Sequence, residues 1–176
     1  MMRRVVITGV GAVTPIGNTV KEMWAGVREG KCGIDKITKY DISNRKVKVA
    51  AEVKNLPVEE LVDKHDLRKM DLFCTFAMIA ADEAIADSGL SFEEDKCGVI
   101  VSSGIGGIST IEKEYSKGLE KGFDRVSPYF IPSVITNMAA GRIAIKHNLQ
   151  GMCSCVVTAC AGGTNAVGDS FRQIRD

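Results

Sequence analysis

Between Cys155 and Asp169 the chain reads Cys-Val-Val-Thr-Ala-Cys-Ala-Gly-Gly-Thr-Asn-Ala-Val-Gly-Asp. An apolar β-prone run passes through a tight turn into a helix of small residues. A strand that turns straight into a helix is a building unit of α/β architectures, so this stretch restricts the fold more than any other. Cys160 stands at the turn. A thiol there meets free backbone N–H groups and the positive end of the helix dipole, which favour the nucleophilic thiolate. Gly162 and Gly163 let another backbone or a substrate approach closely. On local physics alone, a buried structural cysteine ahead of a helix is an equal reading, because free cysteine is among the most buried residue types.

The rest of the chain supplies more strands and helices. Val5 to Thr8 reads as a buried strand, and Gly9, Gly11, Pro15 and Gly17 mark a turn-rich loop after it. Thr19 can cap a helix that passes through Trp24 to about Glu29 and ends near Gly30. A loop covers 32–45. Val47, Val49, Ala51 and Val53 alternate with Lys46, Lys48, Ala50 and Glu52, the pattern of a half-exposed strand. Pro57 opens a short helix to Val62, and Asp71 begins a long one closed by Gly89. Gly98 to Ser102 is a strand, and the helix after Gly107 frays at Gly118 or Gly122. A loop from Phe123 to Ile131 leads to Pro132, which suits the first turn of a helix reaching about His147. Met152 to Thr158 is a strand, and Cys160 starts the last helix. This order predicts an α/β fold with a mostly parallel sheet covered by helices.

Composition narrows the function. A chain of 176 residues forms one sizeable domain, and a formal net charge of +1 gives no global attraction to nucleic acid or to a membrane surface. No apolar run approaches the ~20 residues that span a bilayer, and no signal peptide is visible. Disulfides are not expected of the six cysteines in so apolar a chain. Cys153 and Cys155, two apart on a strand, are expected to pack as small hydrophobes. No Cys-x-x-Cys pair exists and neither His65 nor His147 has a cysteine at ligand spacing, so no metal site is expected. The balance points to a reduced, cytoplasmic protein. Gly9-Val10-Gly11 lacks the third glycine and the acidic partner of a dinucleotide fingerprint, and Gly104-Ile105-Gly106-Gly107 lacks the P-loop lysine. No cofactor is expected.

Six motifs carry a resemblance. They are Arg4-Val5-Val6-Ile7-Thr8-Gly9-Val10-Gly11, Arg68-Lys69-Met70-Asp71, Ser103-Gly104-Ile105-Gly106-Gly107, Ser127-Pro128-Tyr129-Phe130-Ile131-Pro132, Asn137-Met138-Ala139-Ala140-Gly141 and Thr158-Ala159-Cys160. In this order and spacing, the chain resembles the β-ketoacyl-(acyl carrier protein) synthases, in particular the type II synthases of bacterial fatty acid synthesis. The resemblance implies a thiolase-like fold, of which residues 1–176 look like a truncated N-terminal half with the C-terminal half absent. It implies decarboxylative Claisen condensation through an acyl-cysteine at Cys160. Ile105, Phe130 and Ala159 match acyl-pocket positions, although Ile105 is also explained by a tight strand-to-helix turn. Arg68, Lys69 and Arg125 match or neighbour positions that dock an acyl carrier protein, and a solvated charged surface explains them nearly as well. A homodimer is implied, with the strand before the nucleophile pairing with its twofold mate.

The family's two catalytic histidines lie in motifs of its second half. Neither His65 nor His147 stands in such a motif, so neither is assigned a catalytic role, and the isolated 176 residues are expected to be inactive in condensation. Two other classes stay open. One is a ketosynthase-like partner subunit or polyketide ketosynthase; the chain-length factors among these lack the cysteine that Cys160 supplies. The other is a coenzyme A-dependent thiolase-like enzyme, against which the Arg68-Lys69-Met70-Asp71 and Thr158-Ala159-Cys160 contexts speak.

Overall fold

The computed structural model describes residues 3–91 and 93–176. The elements run α1 (Val20–Arg28), β1 (Ile34–Lys36), β2 (Val49–Ala51), α2 (Val58–Leu61), α3 (Lys64–Leu67), α4 (Leu72–Ser88), β3 (Val99–Ser102), α5 (Ile108–Lys121), α6 (Phe130–Val134), α7 (Met138–His147), β4 (Cys153–Val156) and α8 (Gly162–Arg175). β3 and β4 pair in parallel, from Val99 opposite Cys153 to Ser102 opposite Val156. β1 and β2 form a separate antiparallel ribbon. The expected mostly parallel sheet is therefore a two-stranded parallel pair with helices packed on it.

Helix limits follow the predicted signals. The Thr19 side chain accepts the Glu22 N–H at 3.2 Å and caps α1. Gly89, at φ 60°, ends α4, and Asn148, at φ 52°, ends α7 in the left-handed region that glycine and asparagine tolerate best. The core forms where α4 meets α7 and β3. Cys74 and Ala140 are fully buried, with Met78, Ile79, Val99 and Ile143 around them. Small residues at the crossing let the helix backbones approach closely. Burial pushes the Cys74 thiol up to about 12, which makes it a packing group rather than a nucleophile.

The N-terminal run differs from its prediction. Residues 5–8 lie in no strand of the described structure, and Val6 and Ile7 are exposed, Ile7 at 82%. A β-branched run becomes a strand only when a ladder partner accepts it, and none does among the described residues. The loop that follows is held firmly by α4. A Cβ on Gly9 would lie 2.1 Å from the Ala84 carbonyl oxygen, and one on Gly11 would lie 1.9 Å from that of Ala80. Only glycine fits this approach. The backbone N–H groups of Ala12 and Val20 each donate to the Glu83 carboxylate at 2.9 Å, and that of Val10 donates to Asp87 at 3.0 Å.

Other boundaries also move. The predicted loop at 32–45 contains β1. In the ribbon the valines face outward and Glu52 is buried, the reverse of what the alternation suggested for a packed strand. The Thr38 hydroxyl donates to the Glu52 carboxylate at 2.7 Å, and this bond holds the carboxyl below its ordinary range. A carboxylate whose hydrogen bonds are met in this way can be buried just past the end of β2. The single helix expected from Pro132 to His147 is two helices, α6 and α7, separated where Ile135 turns extended at ψ 137°. Cys153 is exposed and Cys155 half-buried, so only Cys155 packs as expected.

Glu114 on α5 anchors the stretch from Phe123 to Tyr129. Its carboxylate is buried and accepts the Ser127 backbone N–H at 2.7 Å and the Lys117 ammonium at 3.1 Å. The Ser127 bond first, then Lys117, hold its carboxyl below the ordinary range. A carboxyl lowered in the folded state stabilises the fold above its unfolded value of about 4.3, and this contribution disappears as pH falls through the lower folded value. We expect Glu114→Gln to lower the urea midpoint at neutral pH, with the difference from wild type closing in that acidic window. A gap that stays constant into strong acid would refute the anchoring role of the carboxylate.

Candidate active site

Parallel strands end at the same edge. Because β3 and β4 stop opposite each other, the turns that leave them emerge side by side. From β4 the chain passes through Thr158 to Ala159, whose φ of 47° places a non-glycine residue in the left-handed region. Its Cβ makes this conformation a strained one for alanine, which has neither the freedom of glycine nor the polar side chain of asparagine. Cys160 follows, exposed, inside a 3-10 turn over Ala159–Ala161, and α8 begins two residues later at Gly162. The predicted helix start at Cys160 is thus a tighter turn that leads into the α-helix. Among the described residues nothing buries the Cys160 side chain.

Gly162 explains why the turn is so tight. A Cβ there would lie 1.8 Å from the Ser102 Oγ, so α8 starts in direct packing on the end of β3. The second turn leaves β3 at this point. The Gly106 N–H donates to the Ser103 hydroxyl at 3.0 Å, and Gly106 has φ 80°. The Gly107 N–H donates to the Val134 carbonyl at 2.9 Å, and a Cβ on Gly106 or Gly107 would collide with the α6 backbone. Ile105 sits at the tip, 62% exposed. α6 begins at Phe130, which is half-buried. The segment from Ser102 to Gly107 therefore touches the first residue of α8, two after Cys160, at one end and the helix of Phe130 at the other. Ala159, exposed, directly precedes the thiol.

The basic residues lie beside this arrangement. Arg68 and Lys69 follow α3; Arg68 is exposed and Lys69 half-buried. The Lys69 ammonium stands 5.3 Å from the centre of the Tyr129 ring and contacts the His65 Nε2. Tyr129 is the residue before Phe130, so the Arg68–Lys69 segment reaches the start of α6. Arg125 is exposed in the 3-10 turn over Phe123–Arg125. His147 bonds Asp82 at 2.8 Å between α7 and α4, a structural pairing in keeping with its unassigned role.

Sequence reading missed one residue here. Asp71 opens α4 but makes no side-chain bond to its own helix. Its buried carboxylate instead accepts both the N–H and the hydroxyl of Thr110, each at 2.7 Å, in the first turn of α5. Hydrogen bonds to a charged group contribute about 1.5–3 kcal/mol each, against about 1 kcal/mol for an ordinary helix cap, so the long-range pair outweighs the local cap. The sequence marks Asp71 as a helix start; nothing in it pairs Asp71 with Thr110.

A cleft of about 570 Å³ runs between the turn at 14–18, α1 and the residues around Lys31 and Lys54. None of its lining residues belongs to the Cys160 turn.

Residues 2–176 match the family model described as β-ketoacyl synthase, N-terminal domain. The chain is 43% identical over 177 residues to the 3-oxoacyl-[acyl-carrier-protein] synthase 2 of Synechocystis sp., covering 99% of this chain and 42% of that protein. It is 44% identical over 176 residues to the protein of the same name from Staphylococcus aureus (strain COL), covering 98% and 42%. The chain thus spans about two-fifths of the length of these relatives. Among solved structures, the ishigamide ketosynthase/chain length factor superposes with a TM-score of 0.92 at 28% identity, over 99% of this chain and 45% of that one. A type II polyketide ketosynthase in complex with its acyl carrier protein matches with a TM-score of 0.77 at 22% identity, over 99% and 48%, a likeness of fold alone.

Proposed function

The chain belongs to the β-ketoacyl synthase family and has the N-terminal half of its thiolase-like fold, and we propose that it is the nucleophile-bearing part of a 3-oxoacyl-(acyl carrier protein) synthase of fatty acid elongation. The observation that carries this reading is an exposed Cys160 on a strained turn between a parallel strand and a helix whose first residue, Gly162, packs on Ser102 at the end of β3. The Cys160 sulfur attacks the carbonyl of an acyl thioester on the carrier protein. The carrier's thiol leaves, and the acyl group stays on the cysteine. Malonyl thioester then loses CO₂. The carbanion left behind attacks the acyl-cysteine carbonyl, forms the new carbon–carbon bond and expels the Cys160 thiolate. The Cys160 backbone N–H is a natural donor to the oxyanion, a contact of the kind worth about 3–4 kcal/mol in acyl transfer.

Ile105, Phe130 and Ala159 line the path of the acyl chain in this reading, and Arg68, Lys69 and Arg125 meet the acidic carrier protein. Such charges steer encounter more than they set affinity. Decarboxylation depends on residues outside 1–176, so these residues alone do not condense. Placement in the cytoplasm is part of the same reading; no described helix is long and apolar enough to cross a membrane. Identity of 43–44% to two proteins named 3-oxoacyl-[acyl-carrier-protein] synthase 2 supports this reading. β4 pairs only with β3 among the described residues, and Met152 and Val157 beside it are exposed. Its free edge suits pairing with a second copy.

The deciding experiment is mass spectrometry of the protein, at the length of its relatives, after exposure to acyl-carrier protein. We expect one acyl adduct on the Cys160 peptide and none in Cys160→Ala; an adduct on Cys32 or Cys153 instead would overturn the assignment. Ile105→Phe should slow transfer most for long acyl chains, because the added ring overpacks their path. Equal losses at every length would remove Ile105 from that path. Light scattering of the same protein should give a dimer, and a monomer at high concentration would count against the β4 edge.

A further inference from the structure

Asp71 lies outside the Cys160 turn, yet it holds the turn that carries Ile105. Its Oδ2 accepts the backbone N–H and the hydroxyl of Thr110, both at 2.7 Å. Thr110 is the third residue of α5, and Gly107, directly before that helix, provides no cap of its own. The Asp71 carboxylate is thus the side chain that fixes the start of α5. Gly107 is pressed between Asp71 and α6: a Cβ there would lie 3.0 Å from the Asp71 Cβ and 2.3 Å from the Ser133 carbonyl oxygen. The Gly107 N–H is bonded to Val134 on the α6 side. The turn from Ser103 to Gly107 is therefore clamped on two sides, by Asp71 and by α6. Ile105 projects from this clamped turn and Phe130 begins the opposing helix.

We propose that Asp71 is a positioning residue that sets acyl-chain selectivity by fixing Ile105 relative to Phe130. The inference rests on the acyl-path reading given under the proposed function. The same carboxylate directly follows Arg68-Lys69-Met70, so the segment assigned to carrier docking and the clamp on the acyl path share one short stretch of backbone. Asp71 touches neither the thiol nor the acyl group in this scheme. It acts through the geometry of the turn, and the charge on its carboxylate is what makes the two bonds strong.

The test compares Asp71→Asn, Thr110→Val and Thr110→Ser in the protein at the length of its relatives. Acyl transfer to Cys160 is measured across short, medium and long acyl-carrier substrates. Amide hydrogen exchange is followed at residues 103–110 of the same proteins. Asp71→Asn should speed exchange at Gly106, Gly107 and Thr110 by about tenfold or more, and change the long-to-short rate ratio by a similar factor. Thr110→Val loses one of the two bonds and should show a smaller change in the same direction. Thr110→Ser keeps both bonds and should restore the wild-type ratio. If Asp71→Asn does not fold, Thr110→Val and Thr110→Ser carry the comparison alone. Unchanged exchange in these residues overturns the clamp. Faster exchange with equal losses at every chain length overturns its role in selectivity while leaving the proposed activity intact. A wild type that accepts no acyl group of any length overturns the proposed activity, and this inference with it.

Discussion

Parallel pairing of β3 with β4 is the constraint on which the rest of this site depends. Two antiparallel strands would send their outgoing turns to opposite edges. A parallel pair in matched register sends Ser102 and Val156 out together, so the glycine turn and the cysteine turn become neighbours. That proximity has a steric condition. The start of α8 rests against the Ser102 hydroxyl and leaves no space for even one methyl group at Gly162. The strain at Ala159 is part of the same geometry: the chain must reverse sharply to leave the strand and enter a helix packed on its neighbour.

α4 gives this pair its support, and different parts of it do so in different ways. Its first two turns bury Cys74, Thr75 and Met78, and Cys74 and Met78 share one apolar cluster with α7 and with Val99 of β3. Asp71, directly before it, reaches forward to α5. The last turns of α4 reach back to the N-terminal loop through Glu83 and Asp87. Each of these polar contacts satisfies backbone donors that hydrophobic packing could not serve.

Much of this was legible in the sequence, and the misses have physical causes. Helices with glycine stops, such as α1, α4 and α5, were placed within a residue or two because their boundary signals are local. β3, β4 and the turn at Cys160 were also placed, since β-branched runs bounded by glycine leave few options. Residues 5–8 were misread because a strand needs a partner and the sequence of a strand does not say whether one is present. The ribbon at 49–52 was read inside out for a related reason: Glu52 is buried through a bond to Thr38, and such pairings are invisible to alternation. The bend between α6 and α7 has no glycine or proline at Ile135 to announce it. At the site, motifs single out Cys160, the glycine turn and Phe130, whereas Asp71 reads as a helix start and the end of a motif, with nothing to mark its bond to Thr110 39 residues away.

The hold of α4 on the N-terminal loop also orders events during synthesis. Residues 9–20 leave the ribosome well before their anchors at Glu83 and Asp87, which lie 71 residues beyond Ala12 and 77 beyond Val10. At ~5–20 residues per second, this is a wait of several seconds. During that interval Gly9 and Gly11 have no helix to rest on, and three backbone N–H groups have no carboxylate to receive them. The beginning of this chain is therefore among the later parts of its first hundred residues to take its final place, and α4 is the element whose appearance allows it.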